Sequence, residues 1–191
     1  RLGDGWGAYV PGCGTPKWYA DCIKQYSDKL GQNHKTLEDQ KRTLVFVCII
    51  EETEEAVERA LHNLAIRWDV AAFLPSTEVW KEAGFTNPLG DDWSYSRDML
   101  PTKWTREAAL NIANQVPPEA VRALRICGTP RQAAEQIQRY IEAGCNYACL
   151  VNYAGLVGAG SWSAGATGSK VMDETFAILR ELYGHTQPKI K

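Results

Sequence analysis

The sequence predicts an α/β fold built on a parallel sheet, and three observations favour it. The predicted strands at residues 43–50 and 146–151 contain unbroken apolar runs, at 44–50 and 147–151, which is typical of strands buried on both faces. Segments with helical spacing of apolar residues follow the predicted strands. The resulting order is strand, helix, strand, helices, strand, helix, and it indicates right-handed β-α units.

The first strand is predicted at residues 5–10, where a Pro-Gly pair stops it. A helix over residues 16–30 follows. Thr15 is a good N-cap, Pro16 suits the first helical position and Gly31 ends the helix.

The second strand, residues 43–50, is followed by a helical segment and then by a long segment without regular periodicity. Residues 51–73 begin with acids and space their apolar residues like a single long amphipathic helix. Residues 76–114 contain repeated Pro and Gly breaks and are too long for a plain connection. We therefore expect 76–114 to be a lid-like insertion within one domain that spans residues 1–191.

The string Cys-Gly-Thr-Pro, first seen at residues 13–16, returns at residues 127–130. A short helix to about Leu124 precedes this second copy, and a helix to Ala143 follows it, with Gln132 completing a capping box. The third strand, a glycine-rich loop over 152–168 and a last helix over 171–183 complete the order.

Composition excludes several classes of protein. The chain has 191 residues and a net charge of −2, so it carries neither the basic surface of a nucleic-acid-binding protein nor a polybasic membrane patch. No apolar run reaches the length of a membrane span. The six cysteines lack metal-ligand spacing, and Cys48 and Cys149 lie in apolar runs. Buried, reduced thiols in a cytoplasmic protein are the favoured interpretation.

Three strands cannot close a sheet on themselves. A parallel barrel needs eight strands and about 250 residues, so in a TIM (β/α)8-barrel this chain supplies only the last part. An open, doubly wound sheet is the alternative.

The ordered motifs resemble the bacterial luciferase-like family of flavin- and F420-dependent oxidoreductases. They are Gly3-Asp4-Gly5-Trp6 opening a strand, a strand running into the acidic helix start at residues 46–56, Val116-Pro117-Pro118-Glu119, Gly128-Thr129-Pro130 with Gly144, and the strand at residues 147–152.

The resemblance implies a luciferase-like barrel of which this chain holds the last three or so β/α units, at residues 5–10, 43–50 and 147–152. The first five strands would then belong to a missing N-terminal part or to a second chain, and a homodimer is compatible with this. The implied activity is hydride transfer between coenzyme F420, a deazaflavin, or a flavin such as FMN, and a small or lipid-like organic substrate. An FMN-dependent monooxygenase and a non-catalytic half-barrel accessory subunit are the alternatives. The tract at residues 79–90 favours F420.

In such barrels ligands bind at the carboxyl ends of the strands. Those ends predict cofactor contacts at Ile49, Ile50, Asn152 and Tyr153. Gly158 and Gly160, in the glycine-rich loop after the last strand, could bring backbone amides to a phosphate of the cofactor, and a loop that binds nothing is the alternative. Asn152 and Tyr153 equally suit a purely local role in satisfying turn backbone.

Catalytic and substrate contacts are less specific. Glu51 is a weak candidate for handling a proton, because an acid there also stabilises a helix start. The insertion offers Trp80 and Trp93 for an apolar pocket, with Arg97 and Lys103 for anionic groups. No metal site is predicted.

Overall fold

The computed structural model describes residues 5–9, 15–38, 40–73, 77–154 and 165–183. Among these residues a single parallel sheet contains the strands β1 (Gly5–Tyr9), β2 (Lys41–Ile50), β3 (Ile126–Gly128) and β4 (Tyr147–Asn152). The three predicted strands are confirmed. The α/β class with a parallel sheet is therefore established.

The central strand is β2. Along one edge β4 pairs with it from Thr43↔Tyr147 to Cys48↔Asn152. Along the other edge β1 pairs with the amino-terminal half of β2, and β3 pairs with its last three residues. The order β1, β2, β4 follows the chain, as in successive β/α units.

The short strand β3 was not predicted, because residues 127–128 were assigned to the entry of the following helix. Three residues are too few to show a strand pattern. These three residues pair with β2 because β1 covers only residues 41–45 on that edge. The main-chain groups of residues 48–50 have no partner from β1 and bond to β3 instead.

Helices cover both faces of the sheet. In chain order they are α1 (Pro16–Gly31), α2 (Glu54–Leu61), α3 (Leu64–Phe73), α4 (Thr77–Glu82), α5 (Tyr95–Asp98), α6 (Arg106–Gln115), α7 (Pro118–Leu124), α8 (Pro130–Glu142) and α9 (Gly165–Tyr183). None of the described helices is both long enough and apolar enough to cross a membrane.

The single helix predicted over residues 51–73 is wrong, since two helices occupy this region. Thr53 caps α2, with its hydroxyl accepting from the Ala56 amide at 3.3 Å. Asn63 then interrupts the helix, because its side-chain oxygen accepts from the Ala65 amide at 2.8 Å and so starts α3.

The last helix begins earlier than predicted, at Gly165 instead of residue 171. Part of the predicted glycine-rich loop is therefore helical. Residues 155–164 lie outside the described residues.

The sheet separates two apolar cores. Leu44, Phe46, Cys48 and Ile50 alternate along β2 into the first core, where α1, α8 and α9 pack. Ile49 belongs to the second core, which is formed with α2, α3, α4 and α7. Residues 46–50 are at most 1% exposed, so the prediction that this strand is buried on both faces is confirmed for that part. Thr43 and Val45 are only half-buried.

The strand β4 departs from that prediction. Tyr147 is 54% exposed and Cys149 is exposed. Ala148 and Leu150 pack in the first core, whereas Tyr147 and Cys149 lie on the opposite face of the strand. The second core covers that face only near the carboxyl end of the sheet, so the expectation that Cys149 is buried is wrong.

The segment at residues 77–104, which we call the excursion, is fastened to the end of α3. The Asn87 amide donates to the carbonyl of Ala71 at 3.1 Å, and the Trp93 indole N–H donates to that of Ala72 at 3.0 Å. Phe73 and Tyr95 stack with ring centroids 4.7 Å apart. The excursion thus supplies the C-terminal capping donors of α3.

Candidate functional site

The carboxyl ends of β2, β3 and β4 meet at one end of the sheet, which we call the rim. The Glu51 amide, just beyond β2, donates to the carbonyl of Gly128 at the end of β3 at 3.3 Å. Asn152 at the end of β4 bonds to Ile50 at the end of β2. Three strand ends are thereby held side by side.

Asn152 has a well-defined set of partners. Its side-chain oxygen accepts from the amides of Ile50 at 3.0 Å and Ala154 at 3.2 Å. Its side-chain nitrogen donates to the carbonyl of Ile50 at 2.8 Å. A carboxamide has two N–H donors, and only one of them has a hydrogen-bond partner within the part of the chain that the structure describes.

Two further carboxamides act in the same way. At the opposite end of β4, Asn146 accepts from the Arg42 amide at 2.7 Å and donates to the carbonyl of Gln40 at 3.0 Å. On β3, Gln136 accepts from the Cys127 amide at 3.3 Å and donates to its carbonyl at 2.7 Å. We call Asn146, Asn152 and Gln136 the ladder carboxamides. Each side chain gives main-chain groups at a strand end the hydrogen bonds that a neighbouring strand would otherwise supply.

Glu51 is half-buried at the rim. Its carboxylate forms no hydrogen bond or ion pair within the described part of the chain. Burial raises the pKa of this carboxyl group, and Glu52 raises it further, whereas Arg59 lowers it. Lys170 on α9 pairs with Glu52 at 2.8 Å and partly offsets that second charge.

The other predicted cofactor contacts differ in accessibility. Ile49 and Ile50 are at most 1% exposed, and their side chains lie in the second and first cores respectively. Tyr153 is half-buried directly beyond β4. Gly158 and Gly160 lie outside the described residues.

The predicted substrate contacts all lie in or under the excursion. Trp80 is fully buried in the second core, whereas Trp93 is half-buried and stands edge-on to Trp104, with ring centroids 5.8 Å apart. Arg97 grips Asp98 with two nitrogens, at 2.8 and 2.7 Å, and also donates to the carbonyl of Asp92.

Of these four residues, Lys103 is exposed and Arg97 is committed to holding α5. The structure therefore brings Arg97 and Lys103 to the surface of the excursion, with Arg97 already paired, leaves Trp93 half-buried and places Trp80 beneath.

The second core contains an ion pair that was not predicted. Arg125 donates to Asp69 at 2.7 Å, and their side chains are 1% and 11% exposed. It joins α3, which carries the excursion, to the residue before β3. No motif signals it, because its partners lie 56 positions apart.

Two of the ladder carboxamides, Asn146 and Asn152, had a weak signal in the sequence, because they stand at the two ends of the third predicted strand. Among the described residues no group of three or more His, Cys, Asp or Glu side chains is placed to hold a metal ion.

Comparison with one solved structure supports the fold, and a second structure matches more weakly. The chain resembles the structure of the coenzyme F420 dependent tetrahydromethanopterin reductase from Methanopyrus kandleri with a TM-score of 0.54, at 14% identity, over 79% of this chain and 40% of that one. An F420-dependent secondary alcohol dehydrogenase in complex with an F420-acetone adduct matches with a TM-score of 0.49, at 14% identity, over 88% of this chain and 47% of that one.

Curated relatives match a segment of 96 residues, which is 50% of the chain. The phthiodiolone/phenolphthiodiolone dimycocerosates ketoreductase of Mycobacterium tuberculosis is 28% identical over 96 residues, which are 50% of this chain and 25% of that protein. The ketoreductase of the same name from Mycobacterium kansasii is 26% identical over 96 residues, which are 26% of its length. The matched part is therefore about a quarter of these relatives.

The model of the family described as luciferase-like monooxygenase matches residues 1–147, well over half of the chain. This match agrees with the resemblance seen in the motifs and with the parallel sheet. The chain belongs to the luciferase-like monooxygenase family.

Proposed function

We propose that this chain is part of an oxidoreductase that transfers a hydride between coenzyme F420, or a flavin, and a small or lipid-like organic substrate. The family match over residues 1–147 carries the proposal. The names of the similar proteins, an F420-dependent reductase and a ketoreductase, support it and favour F420 over FMN.

The donor set at the rim fits a deazaflavin or flavin ring, whose edge offers carbonyl oxygens and ring nitrogens. The second N–H of the Asn152 amide suits a ring carbonyl, and Tyr153 stands beside it. Ile49 and Ile50, buried in the second and first cores respectively, anchor the end of β2 next to them. When bound, the ring supplies the hydride chemistry itself.

The chain's own residues then have distinct roles. Glu51, with its raised pKa, holds or releases a proton next to the substrate. Trp93 and Lys103 contact the substrate from the excursion, while Trp80 packs the excursion into the second core and Arg97 holds α5. Gly158 and Gly160 remain proposed contacts to the cofactor's phosphate side.

We also propose that the edge of β4 away from β2 pairs with further strands of a barrel, from another part of a longer protein or from a second chain. Within the described residues β4 pairs with β2 alone. An exposed Tyr147 beside such an edge supports this, because unpaired strand edges favour pairing with another strand.

Separate titrations with F420 and FMN, followed by cofactor fluorescence, test the activity class. We expect F420 to bind, and Glu51→Gln to change the pH dependence of binding, whereas Glu135→Gln on the exposed surface of α8 leaves it unchanged. Binding of FMN alone favours the monooxygenase alternative. Failure of both cofactors to bind contradicts both enzymatic proposals.

The open face of β4 favours a second candidate, a non-catalytic half-barrel that acts as an accessory or binding subunit. The intact mass and the oligomeric state of the native gene product discriminate between the two. A native product with only these 191 residues, stably associated with another polypeptide and without cofactor, favours the accessory subunit.

A further inference from the structure

At the rim, side chains make hydrogen bonds to the strand ends in place of a continuous set of main-chain bonds between strands. Asn152 engages both main-chain groups of Ile50, the last residue of β2. Glu51 directly follows Ile50 in the chain. The side-chain amide of Asn152 therefore fixes the point at which the main chain leaves the sheet towards Glu51.

Glu51 is also held from the other side of β2. Its amide donates to Gly128 at the end of β3. That strand is itself pinned through Cys127 by Gln136. The main chain at Glu51 therefore lies between two strands that are each locked to a carboxamide.

From this arrangement we propose that Asn152 is a positioning residue, which fixes the Glu51 carboxylate at the rim by pairing with Ile50. Gln136 supports the same position through β3. The inference rests on the proposed function for its catalytic meaning, but the coupling itself is a property of the fold.

Among the described residues, few charged groups influence Glu51, which makes the coupling measurable. Arg59 on α2 and Glu52 in the same loop influence the carboxylate, and Lys170 on α9 pairs with Glu52. None of these side chains bonds to Asn152, so replacing Asn152 leaves the charges around Glu51 in place.

The chain provides a matched control. Asn146 makes the same kind of pair at the amino end of the β2–β4 ladder, with bonds of 2.7 and 3.0 Å to the main chain around β2. Asn146→Ala and Asn152→Ala therefore remove comparable bonds, one far from the rim and one on it.

The experiment follows the Glu51 carboxyl group by carbon-13 NMR titration, with the signal assigned through Glu51→Gln. We expect Asn152→Ala to lower the pKa of Glu51 toward its ordinary range, because a loosened strand end admits water. The Glu51 amide should also exchange with deuterium about tenfold faster. Asn146→Ala should change neither quantity, although both variants lose similar stability.

Gln136→Ala is the second rim variant and provides a test if Asn152→Ala does not fold. It should move the Glu51 signals in the same direction. Unchanged Glu51 titration and exchange in the rim variants overturn the proposal, and so does an equal change in Asn146→Ala. None of these readouts requires cofactor, so failure of the proposed function appears separately, as absent F420 and FMN binding.

Discussion

At the scale of single residues, the pair formed by Arg125 and Asp69 couples two parts of the chain inside an apolar core. Removing water from both charges is costly, so such a pair contributes little net stability but becomes very costly when one partner is lost. The pair is also under-satisfied, because Nε and Nη1 of Arg125 lack partners within the described residues.

We expect Asp69→Ala to lower the free energy of unfolding by about 3–5 kcal/mol, because it leaves a buried guanidinium unpaired. Urea denaturation measures this loss. Glu135→Ala, which breaks the exposed pair with Arg131, is the control and should cost no more than about 1 kcal/mol. The double variant Asp69→Leu with Arg125→Met should recover most of the loss. Equal effects of the two single variants contradict this account.

At the scale of elements, the start of α8 depends on a glycine. Gly128 has a φ of +142°, and a Cβ there would lie 2.7 Å from the Cβ of Gln132. Gln132 accepts from the Thr129 amide at 2.8 Å to form the capping box, so it cannot move away without loss.

Gly128→Ala should therefore destabilise the protein by about 1–3 kcal/mol, through backbone strain and the broken cap. Gly31→Ala on α1 is the matched control, since no atom lies within 4 Å of its added Cβ. That change should be neutral or stabilising by up to about 1 kcal/mol. Thermal unfolding of both variants checks the difference, and a Gly128→Ala protein as stable as Gly31→Ala contradicts it.

The conformation of α5 within the excursion should depend on pH, because Asp98 bonds to Arg97 and to the Ser94 amide there. The Arg97 fork and the Ser94 amide hold the pKa of Asp98 at about 2. This folded-state pKa lies below that of Asp98 in the unfolded chain. The stabilisation of the folded state by the Asp98 carboxylate is therefore complete above about pH 4 and is lost as the pH falls towards 2.

Tryptophan fluorescence reports this change, because Trp93 and Trp104 pack together in and beside the excursion. We expect the emission of the unmodified protein to shift between about pH 4 and pH 2. In Asp98→Asn the shift should already be present at neutral pH. Identical titration curves for the two proteins rule out Asp98 as the titrating group.

The elements also show what sequence alone can and cannot predict. The strands at residues 43–50 and 147–152 and the helix starts at Thr15 and Pro130 rest on local signals, and these were predicted. The break at Asn63 was missed because one residue inside a long amphipathic pattern changes no periodicity. The strand β3 exists only because β2 offers it an edge.

The candidate site was less predictable than the fold. The rim follows from the general rule for parallel strands, but the role of Asn152 depends on a partner 102 positions away. The burial of Trp80 and the grip of Arg97 on Asp98 are likewise set by packing, which no pattern in the excursion indicates.

At the scale of the whole molecule, one face of β4 carries exposed side chains, those of Tyr147 and Cys149. It should be detectable by thiol labelling, because Cys149 is exposed whereas Cys48, Cys127 and Cys145 are buried. Burial also raises the pKa of Cys127 to about 12 and that of Cys145 above its ordinary value.

With a maleimide reagent and peptide mass mapping, we expect Cys149 to react at least about tenfold faster than those three thiols. Cys149→Ser should abolish this fast phase without affecting the others. Addition of a chain that completes the barrel should slow it. Labelling of Cys149 as slow as that of Cys48 contradicts an open face.

The ladder carboxamides have a consequence for the chemical ageing of this protein. Asparagine and glutamine side chains do not titrate, so their bonds to the strand ends should persist in the acid range in which Asp98 is protonated. Their weakness is deamidation, to which such residues are prone at high temperature. Conversion of Asn152 to aspartate replaces its donor by a charged oxygen facing the carbonyl of Ile50. Hydrolysis of one amide group thus opens the rim without any cut in the chain.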